Sequence, residues 1–459
     1  MSTPLLDHAI ALASDTRRII LGENILDQTG RVYVETTSSA HGIVVADETT
    51  WRLAGEQVTA ALAAAGVALE EPLIFPALPP VYAGYENVVI VREKLRETGA
   101  AACSIGSGTI SDLVKLASGE LERPYVHVCT ATSMDGYAAF GAAITKDGFK
   151  ITRTCPAPAG IVADMAIMSS APARMTANGY ADLIEKFPGG ADWIIADALG
   201  VEPIDETSWN LVQQVLPQAM SAPDALARGE RKALLALTEE CMLSGLAIQA
   251  HKSSRPGSGA GHNFSHQWEM EGYGLDWPLP LSHGAKVGLG TIAVAALYDM
   301  AIERGFDAVD ADAVVAAWPN EEENELRVRN LHTFPVIAEA AVLQSQAKYV
   351  PVEDLAPRIA TIKEVWPAIA PHLREQVPTA SQCRDMLKEV GAVWHPSQIG
   401  ISLEKLKHTY LQAQTLRSRY TLLDVLQETG LLIPWVEELF APGGFWAEEE
   451  VPTEGVFVP

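Results

Sequence analysis

The first 170 residues alternate between short apolar runs and segments whose apolar residues recur at helical spacing. The apolar runs, each predicted to be a strand, are 42–47 (GIVVAD), 101–105 (AACSI) and 125–129 (YVHVC). Helical spacing predicts helices over 51–65, 87–98 and 111–117. Strands that alternate with helices are typical of a parallel sheet covered on both faces. We therefore predict an α/β N-terminal domain with a Rossmann-like parallel sheet over residues 1–170.

After about residue 172 the pattern changes to long helical segments with few strand candidates. Helical spacing recurs over 190–199, 206–220, 230–252 and 284–303, and again in several segments from residue 353 onward. We place a domain boundary at 165–172 and predict an all-α C-terminal domain over 171–440. Residues 441–459, rich in Pro, Gly and acids, are expected to form a poorly packed tail.

Length and charge narrow the class of protein. A chain of 459 residues exceeds the size at which one core usually stops growing, so two domains are expected. The net charge of −25 argues against nucleic acid or an anionic membrane surface as a partner. No apolar run is expected to approach the roughly 20 residues that span a bilayer. We expect a small-molecule substrate, no membrane insertion and a homodimer, although the sequence does not fix the oligomeric state.

The cysteines and the N-terminus indicate a cytoplasmic protein. The chain has five scattered cysteines without CxxC spacing, which favours reduced thiols over disulfides or a thiolate metal site. The first residues, MSTPLLDHAIALASDTRR, have no basic region leading into an apolar stretch, so no secretory signal is expected.

A glycine loop and two polar segments fall where predicted strands end. Gly106-Ser107-Gly108-Thr109 separates a strand from a helix, where free N–H groups at a helix N-terminus can bind a pyrophosphate, although a simple tight turn is the alternative. Asp47 ends a strand and can bind an adenosine ribose or cap a helix. The hydroxyl-rich segment Thr130-Ala131-Thr132-Ser133 follows another strand, and it too can cap a helix or face a ligand.

The strongest chemistry lies in three histidines. If SGAGHNFSH is helical, His262 and His266 project from one face, and His283 of LSHG follows after a loop. Neutral imidazoles suit zinc, nickel or iron, and a site that activates a substrate needs about three protein ligands and an open position. Asp182 is the candidate carboxylate ligand, because its helix begins just after the predicted domain boundary. The alternatives are ordinary hydrogen-bonded histidines and an ordinary polar helix position.

At these residues the chain resembles the glycerol-1-phosphate dehydrogenases. Their superfamily also holds iron-containing alcohol dehydrogenases, glycerol dehydrogenase and dehydroquinate synthase. The resemblance runs from about residue 40 to 435, in HGIVVADETT, GSGTISDLVK, TATSMDGYAA, GYADLIEK, GHNFSHQWEM, LSHGAKVGLGT and RSRYTLLDVLQETGLL. It implies a dehydroquinate-synthase-like fold and a metal-dependent NAD(P) oxidoreductase that interconverts dihydroxyacetone phosphate and sn-glycerol 1-phosphate, a reaction of phospholipid metabolism.

The resemblance also implies a role for individual residues. Gly106, Ser107, Gly108, Thr109 and Ile110 would bind the cofactor pyrophosphate, while Thr130, Ala131, Thr132 and Ser133 would contact the nicotinamide half. Asp47 would bind the adenosine ribose, which favours NAD over NADP. One divalent ion (Zn, Ni or Fe) would be held by Asp182, His262 and His283, and the catalytic residues Asp135 and His266 would contact the substrate.

The chain departs from the family pattern before the first histidine. Relatives usually carry a Ser-Glu pair where this chain has Ala260-Gly261, and the chain is longer than most relatives around residues 310–360. Three other functions therefore remain open: a polyol dehydrogenase acting on glycerol, a dehydroquinate-synthase-like cyclase, and a catalytically silent binding paralogue.

Overall fold

The computed structural model describes residues 3–146 and 149–448. The chain divides into two compact units, which we call unit 1 (Met1–Leu183 with Thr207–Gly257) and unit 2 (Ile184–Glu206 with Ser258–Pro459). The chain thus passes between units more than once, whereas the sequence suggested a single boundary at 165–172. The helix Arg231–His251, which follows that predicted boundary, packs in unit 1 against the N-terminal helix Pro4–Leu12.

The first 183 residues contain all the strands of the described chain. The strands are β1 (Arg18–Gly22), β2 (His41–Asp47), β3 (Ala68–Leu69), β4 (Leu73–Phe75), β5 (Ala101–Gly106), β6 (Val126–Cys129), β7 (Ala142–Lys146), β8 (Phe149–Arg153) and β9 (Gly160–Asp164). The helices are α1 (Pro4–Leu12), α2 (Thr29–Thr37), α3 (Glu48–Thr50), α4 (Glu56–Ala64), α5 (Tyr85–Thr98), α6 (Gly108–Glu120), α7 (Met165–Met168) and α8 (Ala173–Leu183). A 3-10 turn spans Leu26–Gln28 and a π-helical turn spans Trp51–Gly55.

The sheet of unit 1 is parallel, as the alternating pattern predicted. Its strand order is β1-β9-β6-β5-β2-β3, with β4 also paired to β2, and β7 and β8 form a separate antiparallel pair. All registers in the large sheet are parallel, so the carboxyl ends of β2, β5 and β6 lie on one edge. The predicted strands correspond to β2, β5 and β6, while β1 and β9 were not predicted.

Alternation along β2 divides the side chains between two cores. Ile43 and Val45 pack with α5 and α6 residues such as Val88 and Leu113 on one face. The intervening Val44 and Ala46 pack on the other face with residues of α2 and α4. Because successive strand residues point to opposite faces, a strand covered by helices on both sides has to be apolar throughout. This explains why 42–46 is a continuous apolar run.

The remaining elements of the described chain are helical. They are α9 (Lys186–Ala198), α10 (Glu206–Gln213), α11 (Leu216–Ala219), α12 (Pro223–Ala227), α13 (Arg231–His251), α14 (Ala260–Met270), α15 (His283–Arg304), α16 (Ala311–Ala317), α17 (Glu321–Leu331), α18 (Pro335–Gln346), α19 (Val352–Gln376), α20 (Ala380–Val390), α21 (Leu403–Thr415), α22 (Leu422–Glu428), α23 (Leu432–Phe440) and α24 (Phe445–Glu448). Two 3-10 turns span Arg255–Gly257 and Pro396–Ile399. The helical C-terminal region is confirmed, including a helix that carries both His262 and His266.

Two expectations need qualification. Helices α13 and α15 are long and apolar enough to cross a membrane by length and composition, so the expectation of no such run is wrong. However, 72% and 89% of their apolar windows are buried in the structure, which is the property of core helices in a soluble protein. The start of the predicted tail is packed, since Trp446 is only 2% exposed and donates to the Tyr410 hydroxyl. Residues 449–459 of that tail lie outside the described residues.

Candidate functional site

The predicted cofactor residues of unit 1 meet at the carboxyl edge of the sheet. Gly106 ends β5, and its carbonyl accepts a hydrogen bond of 3.0 Å from Thr130 N–H at the end of β6. Asp47 ends β2, which pairs with β5 on the other side. Ligands of open parallel sheets bind at this edge. The structure therefore brings these three positions to neighbouring strand ends.

The glycine loop connects β5 directly to α6. A Cβ atom at Gly106 would lie 2.6 Å from the Ile110 Cβ, so only glycine lets the strand turn directly into α6. Helix α6 begins at Gly108, and its N-cap Ser107 forms no side-chain capping bond. The side chain of Ser107 therefore leaves the N–H groups of the first turn without a cap, and the binding of a pyrophosphate there stays a prediction.

Asp47 performs the capping role that the sequence left open. Its Oδ1 accepts hydrogen bonds from the backbone N–H groups of Thr49 (2.8 Å) and Thr50 (2.9 Å) at the start of α3. Its role as a ribose ligand stays a prediction.

The segment from Thr130 to Ser133 is held by contacts with α13 and α8. Thr132 is fully buried and its hydroxyl lies 2.7 Å from that of Thr238 on α13. A Cβ atom at Gly179 would come within 2.3 Å of the Thr132 carbonyl, so α8 approaches the segment backbone to backbone. Ser133, by contrast, is partly exposed and contacts the Tyr137 hydroxyl at 3.2 Å. Within this segment, Ser133 has the side chain best placed to reach a ligand.

Asp135 and Asp182 are neighbours within unit 1. The Asp182 Oδ2 accepts a hydrogen bond of 3.0 Å from the Asp135 N–H. The Asp135 side chain in turn accepts from the Ser244 hydroxyl at 2.8 Å. Asp182 is fully buried at the end of α8, while Asp135 is partly exposed. A hydrogen bond therefore holds the predicted metal ligand Asp182 next to the predicted substrate contact Asp135.

Unit 2 gathers the three predicted histidines. The ring centroids of His262 and His283 lie 5.5 Å apart, and His266 lies 5.9 Å from His262 and 6.1 Å from His283. One ligand nitrogen of His262 and one of His283 lie within 4.8 Å of each other, close enough to share one cation. Helix α14 supplies two of the rings, and the first residue of α15 supplies the third.

A buried carboxylate orients His262. Glu185 is fully buried, and its Oε2 lies 2.7 Å from His262 Nδ1. Its Oε1 accepts a hydrogen bond of 2.9 Å from Gly259 N–H at the start of α14. A carboxylate at Nδ1 places the proton there, so the Nε2 lone pair is directed away from Glu185.

A second carboxylate does the same for His283. Glu269, near the end of α14, lies 3.0 Å from His283 Nδ1 and is 7% exposed. Its charge is also 4.0 Å from the Lys286 ammonium. His262 and His283 therefore share one arrangement, in which a buried glutamate accepts from Nδ1 and the lone pair lies on Nε2.

His266 has the opposite tautomer. The Arg417 guanidinium donates to His266 Nδ1 at 3.3 Å, which makes Nδ1 an acceptor and leaves the proton of the neutral ring on Nε2. Burial of the ring and, next, the positive charge of Arg417 hold the pKa of His266 well below its usual value, so the ring is neutral at physiological pH. His266 thus presents an N–H donor where the other two histidines present lone pairs.

Close packing leaves little room for a side chain at Gly261. A Cβ atom at Gly261 would lie 2.8 Å from Glu185 Cγ, and one at Gly290 would lie 2.3 Å from the Gly261 carbonyl oxygen. Helices α14 and α15 therefore touch through their backbones at this level. Glu185 occupies the space beside residue 261, so a buried carboxylate is present although Gly261 carries none.

Sequence analysis missed Glu185 and Glu269. Both lie inside quoted motif blocks, GYADLIEK and GHNFSHQWEM, but neither has a spacing that pairs it with a particular histidine. The available signal was chemical, because a ligating histidine usually requires a carboxylate or carbonyl partner on its second nitrogen.

Comparison with known proteins agrees with this architecture. A family model described as iron-containing alcohol dehydrogenase matches residues 20–172. A glycerol-1-phosphate dehydrogenase (NAD(P)+) of Halalkalibacterium halodurans is 33% identical over 61% of this chain and 69% of its own length. One of Bacillus subtilis is 27% identical over 90% of this chain and 92% of its own.

Among solved structures, the crystal structure of glycerol dehydrogenase from Schizosaccharomyces pombe covers 97% of this chain and 95% of its own. The TM-score is 0.59 and the sequence identity is 14%, so this similarity concerns the fold. The chain belongs to the glycerol-1-phosphate dehydrogenase family of the iron-containing alcohol dehydrogenases and is an oxidoreductase.

Proposed function

We propose that this enzyme reversibly reduces dihydroxyacetone phosphate to sn-glycerol 1-phosphate with NAD(P)H and a divalent metal ion. The observation that carries the proposal is the pair of glutamate-oriented imidazoles, Glu185–His262 and Glu269–His283, whose ligand nitrogens lie within 4.8 Å of each other. An ordinary pair of core histidines has no need for two buried glutamates that leave both Nε2 atoms free of protons.

Asp182, His262 and His283 are proposed as the metal ligands. They offer a carboxylate oxygen and two imidazole nitrogens, with Asp182 and His262 buried and His283 partly buried. Asp182 precedes Glu185, the partner of His262, by only three residues in the chain. Three protein ligands leave a position open for substrate, and this donor set suits Zn, Ni or Fe.

When bound, the metal supplies Lewis acidity toward the oxygen on the reacting carbon. His266 is proposed to supply the proton donor. Arg417 donates to its Nδ1, so the ring carries its proton on Nε2 and can donate a hydrogen bond to that oxygen. Asp135, held by Ser244 and by the Asp182 carboxylate, is proposed to position a substrate hydroxyl.

The cofactor is proposed to bind at the carboxyl edge of the unit 1 sheet. The first turn of α6, from Gly106 to Ile110, would receive the pyrophosphate, and Thr130 to Ser133 would lie beside the nicotinamide half. Asp47 would contact the adenosine ribose and disfavour a 2′-phosphate, so we propose NAD as the better cofactor.

The test is steady-state oxidation of NADH and NADPH by the metal-loaded enzyme with dihydroxyacetone phosphate or dihydroxyacetone. We expect turnover with the phosphate ester, loss of turnover after chelation, and recovery when metal is restored. The product should be a substrate of an enzyme specific for sn-glycerol 1-phosphate and inert toward one specific for the 3-phosphate.

Three results would contradict the proposal. Faster turnover of dihydroxyacetone would identify a polyol dehydrogenase. Conversion of a substrate without net cofactor consumption would identify a cyclase. No bound metal together with no rate would identify a silent paralogue.

We also propose a cytoplasmic homodimer. All five cysteines are buried free thiols, which suits a reducing compartment. Light scattering of the purified protein tests the dimer, since a monomeric mass would contradict it.

A further inference from the structure

Within the described part of the chain, Arg417 lacks the carboxylate partner that several other arginines of unit 2 have. Arg304, Arg329 and Arg374 each form an ion pair with an acidic side chain. Among the residues that the structure describes, the Arg417 side chain makes one hydrogen bond, to His266 Nδ1, and no ion pair. A guanidinium carries five N–H donors, so most of its donors lack a protein acceptor.

Arg417 lies beside the candidate site, where its remaining donors could bind a ligand. The side chain contacts His266, whose ring is 5.9 Å from that of the proposed ligand His262. Arg417 is an exposed residue, although nearby protein atoms desolvate its guanidinium in part and lower the pKa of Arg417 below its usual value. A partly desolvated cation that can still be reached from solvent attracts an anion strongly, even in a chain of net charge −25.

We propose that Arg417 binds the phosphate group of the substrate and sets the preference for a phosphorylated triose over the free triose. The inference rests on the proposed function and names the residue that gives it specificity. A planar guanidinium fits two phosphate oxygens at once, which a lysine ammonium cannot do.

A triose phosphate carries its phosphate close to its reacting carbon. Its phosphorus lies two bonds beyond the carbon that adjoins the reacting centre. His266 contacts Arg417, and its ring lies 5.9 Å from that of His262 and 6.1 Å from that of His283. A phosphate on Arg417 would therefore lie beside the imidazole that is proposed to meet the reacting oxygen. A substrate without the phosphate has no group to satisfy the remaining guanidinium donors.

The experiment compares Arg417→Gln, Arg417→Lys and the control Arg304→Gln, whose arginine pairs with Glu438 at the end of α15. For Arg417→Gln we expect the KM for dihydroxyacetone phosphate to rise about 10- to 100-fold, because a charge-assisted bidentate contact is lost. The kcat/KM for dihydroxyacetone should fall less than that for dihydroxyacetone phosphate, because the free triose loses only the Arg417 contact to His266. Inorganic phosphate should bind the wild type in calorimetry and bind Arg417→Gln at least about 10-fold more weakly. Arg417→Lys should fall between the two.

The outcomes separate this inference from the function on which it rests. If the wild type uses dihydroxyacetone but not its phosphate, the proposed function is wrong and the inference falls with it. If the wild type uses the phosphate and Arg417→Gln keeps its KM and its phosphate binding, the inference alone is overturned. Equal losses for both substrates in a variant with an unchanged melting temperature also overturn it, because Arg417 would then act through His266.

Discussion

Replacing Glu185 with glutamine keeps the His262 imidazole but removes the carboxylate that orients it. The carboxylate accepts from His262 Nδ1 at 2.7 Å and from Gly259 N–H at 2.9 Å, and a glutamine oxygen can accept only at one of these positions. The amide nitrogen then faces a second donor, which costs about 1.5–3 kcal/mol for the lost charge-assisted bond. Loss of such a partner typically weakens metal affinity about 10- to 100-fold, or about 1.4–2.7 kcal/mol.

The assay is a competition titration of Zn²⁺ against a chromophoric chelator with apo-enzyme, accompanied by thermal unfolding. Glu404→Gln is the matched control, because Glu404 is an exposed carboxylate in the first turn of α21. We expect the weaker affinity for Glu185→Gln only, with turnover restored by excess metal. A dissociation constant within about threefold of wild type would refute the assignment of Glu185 as the orienting group.

Three further predictions concern separate parts of the chain. His283→Ala should reduce turnover at least about 100-fold while cofactor binding, followed by NADH fluorescence, persists in unit 1. His127→Asn should make the free energy of unfolding less dependent on pH in the acid range. Burial lowers the pKa of His127 to about 3, so between about pH 6.5 and pH 3 the unfolded chain binds a proton that the folded chain does not. The wild type should therefore lose roughly 4–5 kcal/mol of stability over this range, and the variant should not. Gly290→Ala should destabilise the protein by about 1–3 kcal/mol in chemical denaturation, because its Cβ would lie 2.3 Å from the Gly261 carbonyl.

Each of these has its own control and contrary result. The exposed His372 and His408 serve as control positions for the two histidine variants. Turnover near wild type in His283→Ala would remove that residue from the site. An unchanged acid slope in His127→Asn would show that His127 does not carry the proton linkage. Unchanged stability of Gly290→Ala would mean that α14 and α15 can separate without cost.

Local periodicity predicted much of the fold. The strands β2, β5 and β6 were identified because each is a continuous apolar run, as sheets covered on both faces require. The helix that carries His262 and His266 was expected from their spacing, and the structure confirms it. These features depend on neighbours in the chain, which is why a single sequence contains them.

Features that depend on distant partners were not predictable. β1 and β9 are only five residues each, and they pair although they are far apart in the chain, with Arg18 opposite Gly160. A short apolar run does not identify such a partner. The contacts of Glu185 and Glu269 with their histidines likewise arise from tertiary packing. Helix α19 contains three prolines over its 25 residues, a composition that argues against a helix when judged locally.

The backbone contact between Gly261 and Gly290 has a practical consequence for protein engineering. A methyl group at either position would push apart the two helices that carry His262 and His283, whereas metal–ligand bonds tolerate errors of only about 0.2 Å. These two glycines are therefore expected to constrain the positions of the imidazoles, although neither has a side chain. Libraries aimed at new substrates should leave them constant and place their diversity at positions such as 417, on a loop outside this pair of helices.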